Sequence, residues 1–406
     1  MNLPIYMDGH ATTRVDPRAL AAMLPFFDEH YGNAASRHHR FGWDARDAVA
    51  DARAAVAGLI GATARELVFT SGATESNNLA LKGVADASRD RGNHVVTVQT
   101  EHRAVLDPCA RLEQQGAEVS YLPVRSDGLL DPMELAAAIT SKTVLVTVMM
   151  ANNEIGVLQP VADLAKVAQA RGVPFHTDAA QAAGKVPIDV SADGIDLLSL
   201  TAHKLYGPKG VGALFVRRGS RVTPIMDGGG HESGLRSGTL NVPAIVGFGR
   251  AAMLCADEMV PEGARLNRLR DRLWNGLQRS LSGVTVNGSM TARLPQSLNI
   301  SVSGVNGEQL LLGLDEVAVS SGAACTSVHQ EPSHVLRALG LDDAAVRASI
   351  RFGLGRFNTE AEVDYVVEKL SSLVTRLRNP VPVFELGDDN GDLPSGWCAE
   401  SDGEVD

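Results

Sequence analysis

The chain has 406 residues, a formal net charge of −11, 44% hydrophobic but only 4% aromatic residues, and 40 glycines. That length supports two domains with a large core, and the Gly-rich, aromatic-poor balance suits an α/β enzyme. Eight acids and no lysine or arginine follow Arg378, leaving −3 on the remainder, which argues against nucleic acid as a direct partner.

The opening MNLPIYMDGHATT has neither a basic n-region nor an apolar h-region, and the longest apolar run, near Val144 to Ala151, is too short to span a bilayer. A cytoplasmic protein without membrane contact is expected. Pro17 starts a helix, and Ala-rich amphipathic spacing predicts another from Asp44 to Ile60. Between them the adjacent His38 and His39 stand in a polar loop with no carboxylate or cysteine at ligand spacing, so no metal is expected there.

From Glu66 onward strand and helix patterns alternate. Strands are predicted at Leu67–Thr70, His94–Gln99, Val119–Pro123, Thr143–Met149, Pro174–Thr177, Ile195–Leu200 and Gly212–Arg217. Near-continuous apolar strands between amphipathic helices predict a mostly parallel, seven-stranded sheet covered on both faces. A Gly-rich stretch, DGGGHESGLRSGTLN, is too polar for core. A long helix is expected from about Val246 to Leu281, broken near Pro261. Strands at Val284–Asn287, Ser297–Val302 and Val317–Ser320 and helices at Pro332–Leu339 and Thr359–Leu377 predict a smaller α+β domain. The expected division is residues 16–260 for the large domain, 1–15 with 261–378 for the small one, and 379–406 as an acidic flexible tail.

In such a sheet ligands sit beyond the carboxyl ends of the strands. There the chain places SGATESNN, whose Gly72, Ala73 and Thr74 open a helix and offer either a phosphate cup or a plain N-cap. His102, Asn153, Asp178 and Gln181 fall at three further strand ends. After Ile195–Leu200 come Thr201, Ala202, His203 and Lys204, then a Gly207-Pro208-Gly210 turn. A lysine at a buried strand end loses its proton readily and can form a Schiff base with an aldehyde. Alone, each residue is ambiguous. Together, an anion cup, an imidazole to stack on a ring, an acid for a pyridinium, an amide for a ring oxygen and an amine describe pyridoxal 5'-phosphate.

With these motifs the sequence resembles the pyridoxal-phosphate-dependent cysteine desulfurases of fold-type I, in the class V aminotransferase-like group and of the iron–sulfur-assembly type. The likeness extends from LPIYMDGHATT to about residue 378 through FTSGATESNN, QTEHRAVLD, NNEIGV, HTDAAQAAGK, LTAHKLYGPKGVGAL, GGGHESGLRSGTLN, SSGAACTS and SIRFGLGRF. The resemblance implies that Lys204 bears the cofactor, His102 stacks on its ring, Asp178 pairs with the pyridine nitrogen and Gln181 with the ring oxygen. It implies a phosphate held by Ala73, Thr74, Thr201, Ala202 and His203 and by Thr239 of a second copy in a homodimer. Asn153 and Arg351 would take the substrate carboxylate, Arg351 in a bidentate grip.

The four cysteines, Cys109, Cys255, Cys325 and Cys398, form no C-x-x-C pair, which suggests neither a zinc site nor a disulfide framework. Cys325 sits among small polar residues, as in a mobile loop at about 320–333, where a thiolate is accessible. By resemblance it is the nucleophile that receives sulfur from L-cysteine as a persulfide. From there sulfur would pass to an iron–sulfur scaffold, with which Cys325 would transiently share a cluster, or to another acceptor such as a tRNA-thiolation protein. Ala323 stands where the family usually has serine, removing a hydroxyl near that thiol. Rival readings are another reaction on the same scaffold (selenocysteine lyase, β-lyase or aminotransferase) and a docking component for sulfur-trafficking proteins, using Pro382 to Glu385 and Trp397.

Overall fold

The computed structural model describes residues 3–321 and 332–379. Its centre is a seven-stranded sheet whose strands, in spatial order, begin at Leu67, Gly212, Leu197, Phe175, Thr143, His94 and Glu118. All neighbouring pairs are parallel except those made by Gly212–Val216, which runs antiparallel to both its neighbours. The runs His94–Val98, Thr143–Thr147 and Leu197–Thr201 are buried along their whole length, as strands covered on both faces must be. The Val- and Leu-rich runs read as strands from their sequence lie within two residues of these bounds at each end.

The second sheet has four antiparallel strands, with Ser349–Gly353 and Ser297–Val302 at its centre. It has a hydrophobic core of its own, containing Leu298, Ile300, Phe352, Val366 and Leu370. The expected strand Val317–Ser320 divides here. Val317–Ala318 pairs with Ile5–Tyr6, whereas Ser320–Ser321 pairs with Arg351 and Ile350.

Two expectations about helices are corrected. Arg40–Leu59 begins four residues before Asp44, because His39 Nδ1 accepts the Gly42 N–H at 3.2 Å and serves as its N-cap. The expected break near Pro261 is absent: Val242–Ser280 is one 39-residue helix. Pro261 is exposed, so its missing N–H falls on the solvent side of the helix, where the lost bond is least costly. Phe248 and Cys255, early in this helix, belong to the core of the seven-stranded sheet, while Leu266 to Leu277 belong to the other. One rod therefore crosses the expected boundary at residue 260. Among the described residues no helix is long and apolar enough to cross a membrane.

Candidate active site

The parallel strands end on one side of the sheet, and the residues that follow them close around a cavity of about 510 Å³. Ala73, Thr74, His102, Asn153, Asp178, Gln181, Thr201, His203 and Lys204 all line it. They come from five separate strand ends, as the topology of an open α/β sheet requires.

At one end of the cavity the helix Ala73–Ala87 starts without a side-chain cap. Its free N–H groups and positive dipole end make an anion site. Gly72 precedes it at φ 154°, a backbone that only glycine adopts without strain. Gly212, on the neighbouring strand, approaches so closely that a Cβ would lie 2.6 Å from the Gly72 Cα. Ser71 N–H donates to Glu75 Oε2 at 2.7 Å, and Arg236 Nε to Glu75 Oε1 at 2.9 Å, tying the Gly-rich segment to this cup.

Asp178, 5% exposed, is held on both oxygens: Asn77 Nδ2 donates to Oδ2 at 2.7 Å and the Ala180 N–H to Oδ1 at 2.8 Å. Lys204 lies in a single 3-10 turn, Ala202–Lys204, after Leu197–Thr201. Burial lowers its pKa and Arg351 adds to that, while the charge of Asp178 opposes it. The turn is braced by the next residue but one. Tyr206 takes φ 66°, donates its hydroxyl to Glu262 at 2.9 Å and accepts the Arg356 N–H at 2.8 Å, so the lysine turn is fastened to the long helix and to the segment after Ser349–Gly353.

His102 caps its helix: Nδ1 accepts the Ala104 N–H at 3.0 Å, which leaves the ring proton on Nε2. Burial, together with Lys204 and His334, holds its pKa below the usual histidine value, against the pull of Asp178. His203 is pushed down to about 4 by burial, then by Lys204 and Lys209, and pairs with Thr12 Oγ1 at 3.1 Å. Gln181 Nε2 donates to the His10 carbonyl at 2.9 Å.

A wider vestibule of about 1460 Å³ adjoins the cavity and shares His102, Asn153 and Lys204 with it. Arg351 stands in its wall. Arg351 Nη1 donates to the Asn153 carbonyl, and Nη2 to Asp8 Oδ1 and Ser320 Oγ, at 2.7–3.0 Å; Nε has no partner among the described residues. Both Nη atoms of Arg351, from which a bidentate grip is expected to draw, are thus already partly committed to the protein.

Two sequence-derived candidates line neither the cavity nor the vestibule, and a third is not among the described residues. Ala202 is fully buried and its N–H donates to the Val211 carbonyl at 3.1 Å, so it is spoken for by the turn itself. Thr239 is exposed and lines neither cavity of its own chain. Cys325 and Ala323 lie outside the described residues, as do Cys398 and the 382–385 and Trp397 segments. Ser321 and Pro332, the described residues on either side of the Cys325 segment, both line the vestibule.

Sequence reasoning missed Asn77, Glu101 and His10. Glu101 is wholly buried and accepts the Met149 N–H at 2.5 Å, and burial with the nearby Asp178 raises its pKa well above the carboxylate range. Asn77 stood in the quoted SNN run and His10 in GHATT; only their spatial partners reveal what they do.

The donor set fits pyridoxal phosphate: an uncapped helix start for the phosphate, a buried carboxylate for a ring N–H, and an amine of lowered pKa for an aldehyde. Comparison with known proteins agrees. The family model "Aminotransferase class-V" matches residues 5–366. A cysteine desulfurase IscS of Anaeromyxobacter dehalogenans (strain 2CP-C) is 55% identical, covering 97% of this chain and 98% of that protein. A solved NifS-like protein, 37% identical, superposes with a TM-score of 0.86 over 92% of this chain and 100% of its own. The structure of SspA in complex with cysteine, 36% identical, reaches 0.78 over 87% and 100%. The chain belongs to the class-V aminotransferase family.

Proposed function

We propose that this protein is a cysteine desulfurase, which takes sulfur from L-cysteine, releases L-alanine and keeps the sulfur as a persulfide on Cys325. One observation carries the reading: the Lys204 amine sits where a phosphate-and-ring cradle opens into a vestibule with an arginine in its wall. The 55% identity to a curated cysteine desulfurase supports the same activity.

Pyridoxal 5'-phosphate, when bound, supplies a sink for the charge that develops at the substrate α-carbon. Lys204 would bear the cofactor, and its Nζ, whose pKa burial lowers, is the base placed to take the α-proton. Asp178, pinned by Asn77 and Ala180, would pair with the ring nitrogen. Gln181 would serve the ring oxygen, and Ala73, Thr74, Thr201 and His203, with Thr239 of a second copy, would hold the phosphate. His102 would stack on the ring, and its Nε2 is placed to exchange a proton near the thiol. Asn153 and Arg351 receive the substrate carboxylate. The Cys325 thiolate then attacks the substrate sulfur: the S–S bond forms, the C–S bond breaks, and its electron pair stays on carbon, which is protonated to become the methyl group of alanine.

The described flanks of the Cys325 segment border the vestibule, which supports delivery of its thiol there. Leu24, Phe27, Tyr31, Phe41 and Trp43, from one N-terminal stretch, are 44–65% exposed and support a homodimer that covers them. The protein acts in the cytoplasm and hands its persulfide to an iron–sulfur scaffold or another acceptor protein. The test is to incubate the holoenzyme with L-cysteine and measure alanine and protein-bound persulfide together. Cys325→Ala should keep the yellow cofactor absorbance and lose persulfide and sulfide; sulfide at the wild-type rate from that variant would overturn the assignment.

A further inference from the structure

His10 is 1% exposed, and neither of its ring nitrogens has a hydrogen-bond partner among the described residues. A buried imidazole left so is costly, because both its N–H and its lone pair have given up water. Its place is not accidental. Gly353 would, with a Cβ, put a carbon 2.2 Å from His10 Nδ1, so the strand Ser349–Gly353 is left bare at the point where the ring rests. The Gly9 N–H donates to the Gly353 carbonyl and the Gly353 N–H to the Met7 carbonyl, clamping the two backbones together.

Arg351 and Gly353 are two apart on that strand and therefore share a face. The His10 ring and the Arg351 guanidinium consequently stand side by side, and both border the vestibule together with Lys204 and Asn153. Burial keeps His10 neutral, and the cations Arg351, Lys204, Lys185 and Arg293 reinforce this. A neutral N–H donor set in a positive field favours an anion and disfavours an ammonium. Arg351 Nε, also without a partner, offers a second donor on the same wall.

We propose that His10 is a substrate-recognition residue that donates a hydrogen bond to the carboxylate of the bound amino acid beside Arg351. This rests on the reading of the vestibule as the L-cysteine site. The experiment titrates the holoenzyme by the shift in cofactor absorbance, using L-alanine, which has the carboxylate, and ethylamine, which lacks it. His10→Leu keeps most of the ring's volume but no hydrogen-bonding atom, and His10→Asn restores a donor. The expected result is a loss of L-alanine affinity of about tenfold in the leucine variant, the worth of one hydrogen bond to a charged group. Ethylamine binding should change less than about twofold, and asparagine should recover most of the L-alanine affinity. Equal weakening of both ligands, no weakening of either, or no recovery by asparagine overturns the proposal. Failure of wild-type protein to make alanine from L-cysteine would instead sink the function, and that assay is separate from these titrations.

Discussion

The cavity floor and the vestibule wall solve opposite problems. Around Asp178 the main groups are held in advance: Asn77 and Ala180 hold the carboxylate, Ala104 fixes His102, and Thr12 fixes His203, leaving Asn77 Oδ1 and Glu101 Oε2 without a partner among the described residues. In the wall, among the described residues, His10 has both nitrogens unpaired, Asn153 its Oδ1 and Arg351 its Nε. A resident cofactor needs a rigid seat that exists before it arrives, whereas a substrate that comes and goes must find groups still able to bond. Pre-satisfied atoms hold geometry; orphaned ones discriminate.

Three substitutions on the floor would break or sharpen this contrast. The largest effect is expected for Lys204→Ala, which should lower alanine formation by about 10⁴-fold or more and abolish the cofactor's lysine-linked absorbance, since amine and base go together. Asp178→Asn should follow, with a loss of about 10²–10³-fold in kcat while cofactor stays bound. It also has a signed pH consequence. The Asp178 charge raises the Lys204 pKa against burial, so neutralising it should move the acid limb of cofactor uptake by apoprotein to lower pH. An acid limb that stays in place or moves upward would show that the two groups are not coupled.

The smallest and slowest effect concerns His176, two residues before Asp178 on the same strand. Its ring lies between Thr147 Oγ1 at 2.8 Å and Ser199 Oγ at 3.0 Å, wholly buried, and burial lowers its pKa to about 4. A folded value below the unfolded value of about 6.5 means the unfolded chain binds the extra proton. The associated stability is complete above about pH 6.5 and is lost as pH falls toward 4, by roughly 3 kcal/mol in all. Urea midpoints measured across that window should fall with acid in the wild type and fall less steeply in His176→Asn. Equal slopes would mean that the floor does not depend on a neutral histidine.

Much of the floor was legible in the sequence because strand, turn and reactive group are neighbours there. Leu197–Thr201 is a buried apolar run, and Lys204 follows within one turn. The wall was not legible, because its logic is a contact between Gly353 and His10, more than three hundred residues apart. Asn77 escaped notice for a similar reason: it reaches Asp178 across the sheet's end and resembles any polar residue on a helix. Pro261 misled because the rule that proline breaks helices assumes that the lost bond matters; on an exposed face, with an apolar stripe packed on either side, tertiary burial outweighs it. Ala202 sat in a motif of cavity residues, but its N–H closes the turn onto Val211.

The pairing of Ile5–Tyr6 with Val317–Ala318, and of Asp8 with Arg351, has a consequence for how the molecule comes into being. On a ribosome the first residues made must wait for nearly the last before they find their place. The seven-stranded sheet is complete by Val216, so a growing chain can build the cradle long before it owns the opposite wall. The wall proposed to recognise substrate is therefore among the later parts that synthesis delivers, and a chain truncated before Arg351 would be a seat with no door.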